Sequence, residues 1–191
     1  MSANTEEWFH RHRLTVDEFE RMAEVGLLAH DARVELIEGE IIDMPPSGDP
    51  HSGTINFLNR AFSSAVGTAA IVSVQLPLRL GQYSQPQPDL IILRDRHDFY
   101  AGKRPTSPDT LLLIEVSDSS ARYDRQIKLP LYAKHGVREY WLIDVPKKEL
   151  HRFRSPQLGG YADVSSTKSP GILTVDLPEP TQVDLTRLFD L

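Results

Sequence analysis

Two short runs near the middle of the chain, residues 90–93 in "QPQPDLIIL" and 111–114 in "LLLIEVSDSS", are continuously apolar. Such runs belong to strands covered on both faces, so they call for a sheet with further layers above and below it. Each run also carries one carboxylate, Asp89 at the head of the first and Glu115 near the end of the second. A buried charge is costly unless a partner or a cation answers it. The two acids are 26 residues apart, enough for a strand, a loop and a return strand that sets them side by side. Without a cation they would repel. Oxygen ligands of this kind suit a hard divalent cation, with the Val116 carbonyl as a further ligand.

The remaining patterns supply the layers. "LTVDEFERMAEVG" predicts a helix capped by Thr15, with Glu18 three residues on and Gly26 at its end. "RVELIEGEIIDM" predicts a β-hairpin turning at Glu38-Gly39. Ile55, Leu58, Phe62 and Val66 recur at helical spacing over 51–66. "AIVSVQLPLRL" predicts a strand with Pro77 as its break point. Residues 121–135 predict a helix ended by Gly136 and kinked or divided at Pro130. "EYWLIDV", "ELHRFR" and "ILTVDL" add strands. The expectation is one α/β domain over 1–191, a central mixed sheet flanked by helices with an N-terminal helix and hairpin. Its core covers about 14–154, and C-terminal strands with a short helix fill 155–191.

Composition narrows the function classes. A chain of 191 residues builds a proper core. The absence of cysteine excludes a disulfide framework, a zinc ribbon and thiol catalysis, and suits a reducing cytoplasm. The opening "MSANTEEWFHRHRLT" has no apolar core of signal-peptide length, and no apolar run approaches a membrane span, so a cytoplasmic protein is expected. A net charge of −6 argues against a nucleic-acid coat protein. It does not argue against a nuclease, which needs only a local basic surface. Residues 121–138 provide one, with five bases against the single acid Asp124.

Taken in order, "RVELIEGEI", "SVQLPLRL", "QPQPDLIIL", "LLLIEVSDSS" and "DRQIKLPLYAKHGVREYWLIDV" resemble the Uma-two family of restriction-endonuclease-like proteins, within the PD-(D/E)xK nuclease superfamily. The resemblance implies a restriction-endonuclease-like fold and phosphodiester hydrolysis dependent on Mg2+ or Mn2+. It implies catalytic roles for Glu35, Asp89, Glu115 and Lys128. Asp89, Glu115 and the Val116 carbonyl then hold the metal, Glu35 joins directly or through water, and Lys128 orients the attacking water and stabilises developing charge. Ser117 stands where the superfamily's name calls for lysine, and the resemblance moves that lysine to the following helix as Lys128. "EVSDSS" departs from the family's more usual "EVLSPS", so the loop after Glu115 is expected to differ in shape.

Plainer readings stand beside these. Glu35 shares its hairpin with Glu38 and Glu40, where a solvated face is the default, and only the resemblance selects Glu35. Gln75, His51, Arg122 and Arg125 are candidates for substrate binding. Against that, Gln75 fits a core or edge position, His51 an exposed loop, and the two arginines a solvated helix. Asp124 reads as a surface ion pair with Lys128 or Arg125. Trp141 reads as core. The functional expectation is a nuclease acting on nucleic acid, DNA first, as a homodimer. A non-cleaving nucleic-acid-binding or assembly module with the same fold is the alternative, and a small-phosphodiester hydrolase a third.

Overall fold

Helix α1 (Val16–Glu24) begins where Thr15 caps it. The Thr15 hydroxyl accepts from the Glu18 N–H while the Glu18 carboxylate accepts from the Thr15 N–H, the reciprocal box expected from the spacing. Strands β1 (Val34–Ile37) and β2 (Glu40–Asp43) pair antiparallel. Glu38 and Gly39 between them both take positive φ, 51° and 89°, the turn whose twist matches a two-residue hairpin. Glycine is required at 39, because a Cβ there would stand 2.6 Å from the Arg13 Cβ. This computed structural model describes residues 11–29, 31–46 and 48–191; most of the opening "MSANTEEWFHRHRLT", where no signal peptide is expected, lies outside them.

The central sheet runs β3 (Ala70–Val74), β4 (Leu90–Arg94), β5 (Thr110–Ser117), β6 (Glu139–Asp144), β7 (Glu149–Gln157) and β8 (Gly160–Thr167), in that order. Only β5 and β6 are parallel, so the sheet is mixed as expected. Alternate residues of the apolar runs serve opposite faces. Leu90, Ile92, Leu112 and Ile114 pack on α2 (Asp49–Val66) through Leu58 and Phe62. Ile91, Leu93 and Leu113 pack on Leu131, Tyr132 and Ala133 from the opposite side. Burying Leu58 and Phe62 contributes about 1.5–3 kcal/mol each. Trp141 is core, edge-on to Phe62 at 5.7 Å. A separate hairpin, β9 (Ile172–Asp176) with β10 (Pro180–Asp184), closes the α2 side through Val175 and Val183. No helix among the described residues is long and apolar enough to cross a membrane.

Three local expectations are corrected. The strand in "AIVSVQLPLRL" stops at Val74: Gln75 turns at φ 50° and Pro77 has no N–H to donate, so the chain leaves the sheet and buries Leu78 and Leu80 against the other face. Residues 121–134 are divided into two short helices, but the break lies in the turn before Pro130 rather than at it. They run as α3 (Ala121–Tyr123), a π-turn over Asp124–Lys128 and α4 (Leu129–Lys134). The Leu129 N–H bonds the Asp124 carbonyl five residues back, and this wider turn makes room for a proline ring that would clash with the carbonyl four residues before it. Strand β8 lies within the C-terminal strands expected over 155–191, although no motif marks it, because as an edge strand it buries only Tyr161 and shows no apolar alternation. Residues 186–189 form a turn rather than the short C-terminal helix.

Candidate active site

Strand register brings the first two acids together. Leu90 pairs with Ile114, so Asp89, one residue earlier, falls opposite Glu115. Asp89 shares its parity with Ile91, and Glu115 with Leu113, so both acids belong to the face covered by α4. The Val116 N–H donates to Asp89 Oδ2 at 2.9 Å, and the Asp89 N–H approaches Glu115 Oε2 at 3.4 Å. Glu35 arrives from β1. An isolated bridge between Leu36 and Gln85 docks the hairpin on the 82–87 segment, and the Gln87 N–H donates to Glu35 Oε1 at 2.7 Å. Glu35 is therefore 1% exposed, not part of a solvated face. Glu38, at the turn, stays outside and pairs with Arg13 and Lys134.

Lys128 joins these acids. Its Nζ stands 2.9 Å from Glu35 Oε1 and 3.0 Å from Glu115 Oε1, and the residue is 6% exposed. The expected unanswered repulsion between Asp89 and Glu115 is thus corrected, since the protein supplies a cation of its own. Asp124, Lys128 and Tyr132 recur every four residues along one helical side. The Tyr132 hydroxyl donates to Glu115 Oε1 at 2.6 Å. Asp124, expected as a surface ion pair, is buried instead, and accepts from the Ser117 and Ser120 hydroxyls. Ser117 thus spends its side chain on positioning the helix start.

Burial disfavours the Lys128 ammonium, but the charges of Glu115, Glu35 and Asp124 outweigh it and shift its pKa upward. Burial pushes the Glu115 carboxyl well up; Lys128 opposes this, while Asp89, Asp124 and Glu35 add to it. The two directions pull against each other, because a charged Lys128 calls for an ionised neighbour. Lys128 stays charged, since its ammonium stands between the Glu35 and Glu115 side chains at about the same distance.

Glu35, Asp89, Glu115 and Lys128 line a cavity of about 270 Å³ bounded by the β1–β2 hairpin, the start of α2 and the segment 118–124. Six carboxylates (Glu35, Asp43, Asp89, Glu115, Asp118, Asp124) face it, against Arg33, Lys128 and His51. His51 is drawn in by Asp89, with Nε2 at 3.1 Å from Oδ2; that bond raises its pKa while burial opposes the rise. Three polar atoms of the lining are buried without a partner: Glu35 Oε2, His51 Nδ1 and the Tyr123 hydroxyl. Among the described residues no three His, Asp or Glu side chains form a ready-made metal cage.

The other candidates lie elsewhere. Gln75 contributes only its backbone: its carbonyl accepts from Gln87 Nε2 at 2.6 Å and its N–H donates to the Asp89 carbonyl at 3.1 Å, while its side chain is exposed; Gln87 is the glutamine that lines the cavity. Arg122 is exposed and bonds Gln126 at 3.1 Å. Arg125 sits close enough to Asp144 and His151 to influence both. Neither arginine lines the cavity. Sequence reasoning missed Arg33, Gln87, Tyr123, Asp124 and Tyr132. The Asp124–Lys128–Tyr132 spacing was the available signal for two of them.

No curated protein matches this sequence. One solved structure with a similar fold is described as "Crystal structure of a putative nuclease belonging to DUF820 from Anabaena variabilis ATCC 29413". It aligns with a TM-score of 0.68 at 20% identity, covering 93% of this chain and 98% of that one. At that identity the likeness speaks for the fold. A family model described as "Putative restriction endonuclease" matches residues 16–187, which take in every residue of the cavity, and the chain belongs to that family, Uma2.

Proposed function

We propose that this protein is a metal-dependent endonuclease that hydrolyses phosphodiester bonds of nucleic acid, DNA first. The observation that carries this reading is the meeting of Glu35 and Glu115 on buried Lys128, with Asp89 beside Glu115, in one cavity. The donor set suits Mg2+ or Mn2+. It consists of hard oxygens, it holds more carboxylates than cations, and Glu35 Oε2 lacks any partner. Asp89, Glu115 and the Val116 carbonyl would hold the cation, with Glu35 beside them. The Val116 carbonyl suits this because a strand residue presents its carbonyl on the same side as its N–H, which here faces Asp89. Such a cation supplies Lewis-acid polarisation of the phosphoryl group and acidifies water.

The chain's own groups do the rest. Lys128 and Tyr132 both hold Glu115 Oε1, which leaves Oε2 toward Asp89. Asp89 must exchange His51 for the cation. Lys128 donates two N–H groups to glutamates and keeps a third for charge that develops on the phosphate in the transition state. Cutting both strands of a duplex requires two such sites, which a two-fold homodimer provides; sedimentation showing only monomer with duplex bound would count against it. A cysteine-free chain suits the cytoplasm, a placement that cell fractionation checks.

The test is incubation of plasmid, single-stranded DNA, branched DNA and RNA with Mg2+ or Mn2+ beside an Asp89→Asn control. Asparagine keeps an oxygen for the Val116 N–H and removes the charge, so it is gentler than alanine. Metal-dependent cleavage by the parent and none by the variant is expected. Binding without cleavage of any substrate would replace the nuclease with the non-cleaving module.

A further inference from the structure

The π-turn over Asp124–Lys128 changes which residues reach the cavity. In a regular α-helix each residue advances about 100°, so residues five apart diverge by about 140°. Closing the turn from i to i+5 winds the chain more loosely and brings such residues toward one side. Tyr123 and Lys128 are five apart, and both line the cavity over the carboxylates.

The Tyr123 side chain is half-buried, yet its hydroxyl is fully buried and has no hydrogen-bond partner. A buried hydroxyl left unpaired in a native fold calls for an explanation. Burial, with the Glu35 charge adding to it, pushes the phenol pKa up to about 12, so at neutral pH the group is a donor. An acceptor brought by a ligand would satisfy it. Six carboxylates face the cavity and repel an anion, whereas the Tyr123 O–H donates without adding charge.

We propose that Tyr123 is a further catalytic residue, its hydroxyl donating to a non-bridging oxygen of the scissile phosphate beside Lys128. The proposal rests on the nuclease reading, and it names a residue that neither the motif nor the resemblance selects. Tyr123→Phe removes the donor and nothing that the fold uses, because the hydroxyl bonds no other group.

Two measurements decide it. In the cleavage assay, Tyr123→Phe should keep the parent's melting temperature and hold KM within about twofold, while kcat falls by about 10²-fold, the loss typical of one transition-state donor. In the second, protein labelled with 13C at tyrosine Cζ is titrated with a single-stranded phosphorothioate oligonucleotide in Ca2+, with Tyr123→Phe identifying the resonance. The Tyr123 signal should move as the oligonucleotide binds. A variant that turns over like the parent overturns the proposal, and so does a resonance unmoved by a bound oligonucleotide. If the parent binds and the resonance moves but nothing is cleaved, the nuclease reading fails while the phosphate contact stands. An oligonucleotide that does not bind the parent overturns both.

Discussion

Lys128→Met tests the centre of the site through stability, without relying on turnover. Methionine roughly matches the length of the lysine stem and deletes the ammonium that lies 2.9 Å from Glu35 and 3.0 Å from Glu115. Two carboxylates then remain buried with no cation. Breaking a buried ion pair by removing one partner costs about 3–5 kcal/mol. In a chain of this size each kcal/mol lowers Tm by about 2–4 °C, so the metal-free variant should melt roughly 6–20 °C below the parent.

The loss has a pH signature. Glu115 already titrates well above its ordinary 4.5 because of burial, and losing Lys128 removes the main charge opposing that rise. Above 4.5, and up to its raised pKa, the native carboxyl binds more protons than the unfolded one. Stability therefore falls as pH rises through that window. The gap between parent and variant should be narrow in acid and widen with pH. A divalent cation replaces the missing charge, so Mg2+ or Mn2+ should raise the variant's Tm more than the parent's. Calorimetry with and without metal, at acidic and neutral pH, reads all three effects. A metal-free variant melting within about 2 °C of the parent at neutral pH would show that the ammonium does not hold these carboxylates. Cleavage should fall about 10²–10³-fold in the same variant. Lys128→Arg should rescue it poorly, since a planar fork does not replace a compact ammonium shared between two acids.

Tyr132→Phe deletes the 2.6 Å donor to Glu115 and keeps the ring packed 5.2 Å from Tyr140. Manganese affinity by calorimetric titration should drop about 10–100-fold, as for other groups that orient a metal ligand, and a parent-like titration would refute the positioning role. Lys134→Ala removes a surface pair with Glu38 at 2.8 Å, worth less than about 1 kcal/mol once solvent screens it, and should leave cleavage unchanged. The Lys134 hydrogen bond lowers the Glu38 pKa, so the pair's contribution is present above 4.5 and lost as pH falls below it. A Tm difference that persists in strong acid or high salt would contradict this account.

Asp89 and Glu115 were legible as neighbours because apolar runs, side-chain parity and loop length are local properties that a strand pattern carries directly. Lys128 was legible only through the ordered motifs, since no local pattern distinguishes it from Lys134, which ends on the surface. Glu35 was harder still. Its own hairpin is compatible with a solvated face, and what buries it is the bridge from Leu36 to Gln85. Asp124 shows the same limit, because its exposure depends on Ser117 and Ser120 reaching it across the turn after β5. Pro130 announced an irregular helix without saying that a wider turn upstream would absorb it and bring Tyr123 and Lys128 to one cavity. By itself, then, the sequence determined the layered α/β class, the hairpin turn, the cap of α1 and the two acids of the central strands. Tertiary structure alone decided which polar side chains share the cavity. Those contacts join residues as far apart as Glu35 and Lys128, 93 positions from one another, and long-range packing sets them where no period of 2 or 3.6 residues reaches.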